Sequence, residues 1–296
     1  MAFKAMITGA MTAMITPFEN GRIDSRALDR LVNLQIEGGI HALVPCGTTG
    51  ESATLSHEEH TEVVRLTVKA ARGRVPVVAG TGSNSTAEAI HLTQQAKEAG
   101  ADAALVISPY YNKPTQEGIF RHYEALAGAG GLPIIMYNIP GRTSSKIEVE
   151  TLARLAAVPR IVGVKDATGS LDHALDTLRA CGPDFALYSG DDALTLPIIA
   201  IGGHGVITAV ANIAPREMAD LATVCLEGRL QEARRAQFRL LPLIRACFLE
   251  TNPIPVKTAM AMMGLCREEF RLPLLQMADN NRAKLRQALE AHDLLR

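Results

Sequence analysis

The chain has 296 residues, 47% of them hydrophobic and 21% charged, with a formal net charge of −1. That length builds one barrel-sized domain with an appendage, or two ordinary domains. The near-neutral balance offers nothing to nucleic acid or an anionic membrane surface, and no stretch of about 18 apolar residues suggests a spanning helix.

In chain order, the first feature is Lys4 followed by an apolar stretch to Phe18, loosely like a secretion signal. Thr8, Gly9, Thr12 and Thr16 interrupt it and no clean cleavage site follows, so it reads as a first buried strand. Short apolar runs then recur at 10–16, 42–46, 75–79, 103–108, 134–138, 161–165, 185–189 and 205–210. They are rich in Val, Ile, Leu and Ala and mostly end in Gly, Pro, Thr, Ser or Asn, the pattern of strands buried on both faces. Helical patterns alternate with them at 25–37, 57–71, 85–99, 115–127, 146–157, 171–181, 193–201 and 215–226. Gly38-Gly39 stops the first, and Ser56 with Glu59 forms a capping box before the second.

Eight strands, each followed by a helix, predict a closed (β/α)8 TIM barrel, with a doubly wound sheet as the alternative. Gly80-Thr81-Gly82-Ser83-Asn84-Ser85 lacks the third glycine of a dinucleotide fingerprint, and Gly47-Thr48-Thr49-Gly50-Glu51 lacks the lysine of a phosphate loop. After about Gly228 the alternation stops. Helical patterns at 229–248, 256–263 and 279–294, separated by Pro253, Pro255 and Pro273, predict a C-terminal helical appendage. The expected division is a catalytic barrel over 1–228 and a helical domain over 229–296.

The five cysteines, Cys46, Cys181, Cys225, Cys247 and Cys266, are odd in number and have no CxxC or zinc-finger spacing. They read as reduced thiols of a cytoplasmic protein. No plastid-style transit segment precedes residue 6. Asn84-Ser85-Thr86 matches a glycosylation sequon, which carries no meaning without secretion.

Reacting groups of such barrels sit at the C-terminal ends of the strands. Lys165 interrupts the otherwise apolar Ile161-Val162-Gly163-Val164. Alternation places Ile161, Gly163 and Lys165 on one face and the two valines on the other. If the valines face the helices, Lys165 points into the barrel, where a neutral amine can attack a ketone; the alternative is a lysine emerging into solvent. Tyr137 is the fifth residue of its run, as Lys165 is of the next, so a phenol and an amine could meet at one depth; a buried tyrosine with a satisfied hydroxyl is the plainer account. The Gly47–Glu51 turn offers backbone N–H groups and two hydroxyls to a carboxylate, or is simply a polar loop. Arg142, after Asn138-Ile139-Pro140-Gly141, could grip a second carboxylate or lie in solvent. Pro109-Tyr110-Tyr111-Asn112 concentrates two of the five tyrosines at one strand end. No His, Asp or Glu grouping has metal-ligand spacing.

Together, Gly47-Thr48-Thr49-Gly50-Glu51, Tyr137-Asn138-Ile139-Pro140-Gly141-Arg142-Thr143 and Gly163-Val164-Lys165-Asp166-Ala167-Thr168 resemble the signatures of the dihydrodipicolinate synthase family, in the superfamily that includes N-acetylneuraminate lyase. Pro109-Tyr110-Tyr111-Asn112-Lys113-Pro114, Ser189-Gly190-Asp191-Asp192, Gly203-His204-Gly205-Val206-Ile207 and Asn252-Pro253-Ile254-Pro255-Val256-Lys257 extend the likeness from about residue 6 to about 295.

The resemblance implies a Schiff-base (class I) aldolase-type hydro-lyase of the diaminopimelate route to lysine. Lys165 would form an imine with pyruvate, and the derived enamine would attack L-aspartate 4-semialdehyde. Thr48, Tyr111 and Tyr137 match the family's proton relay, with Tyr111 reaching across a tight dimer interface into the neighbour's site. Thr49 would bind the pyruvate carboxylate, Arg142 the semialdehyde carboxylate, and Ile207 would place its carbonyl near the imine. No cofactor or metal is implied, and the family is usually a homotetramer built as a dimer of dimers. Sugar-acid lyases of the superfamily generally lack the Arg142-Thr143 pair and carry Ser-Thr where this chain has Thr48-Thr49. A second carboxylate calls for a fixed cation, a polyol for neutral donors. Ser52, Ala53, His57, His60, Asn84, Glu88 and Tyr110 match the lysine-sensitive members, in which L-lysine inhibits from the dimer interface; helix-start and interface packing is the alternative. The rival functions are a 2-keto-3-deoxy sugar-acid or N-acetylneuraminate lyase and a non-catalytic small-molecule sensor on a retired barrel.

Overall fold

The computed structural model describes residues 7–295; Lys4, at the head of the signal-like segment, lies outside them. Eight parallel strands form the barrel: β1 (Gly9–Ala13), β2 (Ala42–Val44), β3 (Val78–Gly80), β4 (Ala103–Ile107), β5 (Ile134–Asn138), β6 (Ile161–Asp166), β7 (Ala186–Ser189) and β8 (Gly205–Thr208). Each pairs with its neighbours in sequence, and β8 returns to β1. A parallel bridge between Leu43 and Val77 closes the ring between β2 and β3. A doubly wound sheet would reverse its strand order and leave two open edges; this sheet does neither.

Helices α1 (Ser25–Glu37), α2 (His57–Ala71), α3 (Thr86–Glu98), α4 (Gln116–Ala129), α5 (Val149–Ala156), α6 (Leu171–Cys181), α7 (Thr195–Ala200) and α8 (Pro215–Leu226) surround the barrel. Their apolar stripes cover the outward side chains of the strands. The capping box read at Ser56 and Glu59 is present, with both reciprocal bonds made. Three further helices follow: α9 (Leu230–Ala246), α10 (Ile254–Met262) and α11 (Asp279–Ala291). α9 packs on α7, α8 and α11, and α10 packs on α11. None of the described helices is long and apolar enough to cross a membrane.

Inside the barrel, Met11, Val44, Leu105, Ile135, Tyr137 and Tyr188 belong to a separate apolar cluster. One expectation about this wall changes. The β5–β6 register shifts between Ile134 and Ile135, so Ile134 pairs with Ile161 but Ile135 pairs with Gly163. Ile161 therefore joins the outer core and Val162 packs on the inner cluster, the reverse of strict alternation. Val164 faces the helices as expected. Lys165 lies beyond the irregularity and keeps its inward direction. Gly163 permits this close weave: a Cβ there would lie 2.3 Å from the Ala186 carbonyl oxygen.

Candidate active site

The site is built at the C-terminal ends of the strands. Tyr137 on β5, Lys165 on β6 and Tyr188 on β7 are in register across three strands, so their side chains enter the barrel at one level. Lys165 is 7% exposed, and its Nζ stands 4.2 Å from the centroid of the Tyr137 ring. Among the described residues, no carboxylate forms an ion pair with this amine. A lysine held against an aromatic face without a counter-ion loses part of its hydration, which is a setting for chemistry rather than for solubility.

Around the amine lies a cavity of about 70 Å³, lined by Thr48, Thr49, Tyr137, Arg142, Lys165 and Ile207, among others. That exceeds the roughly 10–15 Å³ one water needs, so a small organic acid is a fitting size of guest. Ala13, Val44 and Leu105 give it an apolar wall. It adjoins a cleft of about 440 Å³ that shares Gly47, Thr48, Tyr137, Arg142 and Asn252 with it.

The threonine turn follows β2. Gly50 N–H donates to Gly47 O at 3.0 Å and Glu51 N–H to Thr48 O at 3.2 Å. The Thr16 hydroxyl donates to Gly50 O at 2.7 Å. Strand β3 presses against this turn at Gly80, where a Cβ would meet the Cys46 carbonyl oxygen at 2.3 Å. Thr49 is 3% exposed, and its Oγ1 accepts from the Asn252 amide at 2.9 Å. Arg142 sits in a single helical turn, Pro140–Thr143, after β5. It is exposed overall, yet its guanidinium donates to the Asn252 carbonyl at 3.0 Å and lines both cavities.

Two predicted groups stand apart. Tyr111 lines neither cavity of its own chain; it is 88% exposed with φ +72°, a backbone that tyrosine rarely adopts. Of the lysine-effector residues, Ser52, Ala53, His57, His60, Glu88 and Tyr110 line the larger cleft. Asn84 does not, although its carbonyl accepts from the Asn112 side chain at 3.0 Å. Glu88 accepts from the Ser83 hydroxyl and lies 2.7 Å from His57 Nε2; these partners hold its carboxyl below the usual range. His60 Nε2 is 2.7 Å from the Gly80 carbonyl, and burial lowers its pKa. Among the described residues, no cluster of three or more His, Cys, Asp or Glu could hold a metal ion.

Three features received no role from the sequence. Asn252 opens the Asn252–Lys257 motif and touches Thr49 and Arg142. Lys257, from the same motif, forms a buried ion pair with Glu51. Asp192 lines the small cavity; burial pushes its carboxyl up to about 6, against the lowering by the Thr208 hydroxyl. An acidic pair closing an apolar strand was the available signal for Asp192. The other two depend on contacts distant in sequence.

The Dihydrodipicolinate synthetase family model matches residues 6–292. A 4-hydroxy-tetrahydrodipicolinate synthase of Thermodesulfovibrio yellowstonii is 51% identical over 98% of this chain and 100% of its own. The structure of the chloride-inhibited dihydrodipicolinate synthase of Acinetobacter baumannii complexed with pyruvate superposes with a TM-score of 0.96. It is 44% identical and covers 98% of this chain and 100% of that one. The enzyme of Cyanidioschyzon merolae with lysine bound gives a TM-score of 0.95 and 41% identity, covering 98% and 99%. By sequence and by structure over nearly its whole length, this chain belongs to the Dihydrodipicolinate synthetase family.

Proposed function

We propose that the protein is a 4-hydroxy-tetrahydrodipicolinate synthase, a Schiff-base aldolase that condenses pyruvate with L-aspartate 4-semialdehyde. The observation that carries this reading is the Lys165 amine, buried beside the Tyr137 ring in a small cavity walled by the threonine turn and Arg142. The Acinetobacter relative complexed with pyruvate supports the keto acid as its guest.

In this reading the uncharged Lys165 amine adds to the ketone carbon of pyruvate and water leaves, giving an imine. The iminium draws electrons from the methyl carbon, which loses a proton to the Thr48, Tyr137 and Tyr111 relay and becomes an enamine. The imine is itself the electron sink, so the step calls for no cofactor. The enamine carbon bonds to the aldehyde carbon, and the aldehyde oxygen takes a proton from the relay. The amine of the condensed product then attacks the imine carbon, releases Lys165 and closes the ring. Thr49 holds the pyruvate carboxylate, Arg142 the semialdehyde carboxylate, and Ile207 presents its carbonyl beside the imine. A guanidinium at the rim suits a second carboxylate and gives a polyol no equivalent advantage, which favours the semialdehyde over sugar acids.

We further read the assembly as a homotetramer, a dimer of dimers, whose tight interface carries Tyr111 into the neighbouring site. Residues 1–228 act as the catalytic barrel and 229–296 as a helical domain, and the protein works in the cytoplasm. L-lysine acts as an inhibitor in the larger cleft, with Glu88 pairing its ammonium. The lysine-bound Cyanidioschyzon relative supports this class of ligand.

The decisive experiment is borohydride reduction with pyruvate followed by peptide mass spectrometry. A reduced pyruvyl group on Lys165, absent from Lys165→Ala, is expected. Wild type without an adduct would end the imine mechanism.

A further inference from the structure

We propose that Asn252 is a positioning residue that aims the Thr49 hydroxyl at the carboxylate of the keto acid. This rests on the function proposed above. A threonine hydroxyl has one proton to give and two lone pairs to receive. The Asn252 side-chain amide donates into Thr49 Oγ1 at 2.9 Å, and among the described residues no acceptor takes the Thr49 proton. A buried O–H fixed in this way has its proton left for a guest in the cavity that Thr49 and Asn252 both line. An acceptor at position 252 would consume that proton. A cation there would add charge of its own. A neutral amide donor sets the direction without altering the charge.

Asn252 is itself held. Its backbone carbonyl accepts from the Arg142 guanidinium at 3.0 Å, so one residue touches the groups assigned to both substrate carboxylates. Just beyond it, Lys257 on α10 forms a 2.6 Å ion pair with Glu51, at the end of the threonine turn. The Arg271 backbone N–H reaches the other Glu51 oxygen at 3.2 Å. The turn between 47 and 51 is thus tethered at Thr49 and Glu51 to the segment 252–271. The C-terminal helices are therefore part of the catalytic geometry, and Asn252 is the contact that reaches a substrate-binding atom.

The test is a double-mutant cycle on the full-length enzyme: Thr49→Ala, Asn252→Ala and the pair, with Asn252→Asp as an isosteric fourth variant. Pyruvate KM, kcat at saturating pyruvate, borohydride trapping and the thermal midpoint are measured for each. If Asn252 acts through Thr49, Asn252→Ala raises pyruvate KM about tenfold, the scale of one hydrogen bond to a charged group, and lowers kcat far less. The double variant is then no worse than Thr49→Ala alone. Asn252→Asp keeps the shape but takes the hydroxyl proton, and is at least as impaired in pyruvate KM. It carries the test should the alanine variant fail to fold. An unchanged pyruvate KM in Asn252→Asp, or effects of the two alanine changes that multiply in the double variant, overturns the proposal. Trapping on the wild type separately decides the imine reaction on which it rests.

Discussion

Lys257 and Glu51 form an ion pair wholly inside the protein: Nζ and Oε1 are 2.6 Å apart, and the side chains are 0% and 1% exposed. The ammonium also stands 4.1 Å from the centroid of the Phe18 ring. Burial lowers the Lys257 pKa, and Glu51 opposes it. Removing one member of such a pair strands the other charge, which typically costs about 3–5 kcal/mol. Lys257→Met is expected to lose stability on that scale, read from denaturant midpoints. Lys257→Met with Glu51→Gln, which leaves no charge behind, should recover much of the loss. A Lys257→Met variant as stable as wild type would mean that the pair contributes nothing.

His122, on α4, is buried; its Nδ1 lies 2.9 Å from the Thr86 hydroxyl, and its Nε2 has no partner among the described residues. Burial lowers its pKa from 6.5 to about 4. Between those values the unfolded chain binds a proton that the folded chain refuses. The stabilisation is therefore complete above about pH 6.5 and is lost as pH falls to about 4, a loss of about 3 kcal/mol. Asp192, raised to about 6 by burial, acts in the opposite sense, with stability falling as pH rises through its window. Wild type and His122→Asn are therefore compared at each pH. The stability of wild type minus that of the variant should fall by about 3 kcal/mol as pH drops from about 7 to about 4; a difference that does not change with pH would remove His122 as a source of acid lability.

The barrel was legible because period-two and period-3.6 patterns are local properties of the chain. The ends of its elements were less so, for identifiable reasons. The third strand was expected over 75–79 but forms at Val78–Gly80, since Pro76 has no N–H for the ladder. Its carbonyl instead accepts from Leu43 N–H. The helix expected from 146 begins at Val149. Asn138 both donates to the Ile147 carbonyl and accepts from the Ile147 N–H, each at 3.0 Å, which ties up both backbone groups of that residue outside the helix. The placement of Lys165 on the face opposite Val164 followed from local alternation. The flip at Ile161 and Val162 did not, because it arises from pairing with β5. Asn252 and Thr49 are 203 positions apart, a separation at which no spacing rule operates.

Arg142 holds its place by a bond to a backbone carbonyl, and its removal should leave the Lys165 amine undisturbed. Arg142→Ala is therefore expected to keep the borohydride-trapped pyruvate adduct. Loss of a charge-assisted contact of about 1.5–3 kcal/mol should lower kcat/KM for the semialdehyde about 10- to 100-fold. Loss of trapping in this variant would instead assign Arg142 to the pyruvate step.

Glu88 presents a carboxylate, kept ionised by Ser83 and His57, at the cleft lined by Ser52, His60 and Tyr110. Millimolar L-lysine should lower the initial rate of the wild type. Glu88→Ala should raise the inhibitory concentration at least about tenfold, the scale of a lost charged hydrogen bond. Absence of inhibition, together with no lysine binding by calorimetry, would remove the regulatory reading.

Tyr111 gives the sharpest test of assembly. Its side chain is exposed in one chain while its backbone is held at φ +72°, a conformation that surrounding structure must support. If the phenol completes the neighbour's proton relay, two inactive variants should rescue one another. In a mixed dimer of Lys165→Ala and Tyr111→Phe subunits, the site on the Tyr111→Phe chain has an intact Lys165 and receives an intact Tyr111 from its partner. The other site lacks both. Mixing and reassociating the two proteins should therefore restore activity towards one wild-type site per mixed dimer. If Tyr111 served its own chain, each site in the mixture would still lack one essential group, and activity would not return. Mixed dimers verified by mass spectrometry but without restored turnover would place the relay within a single subunit.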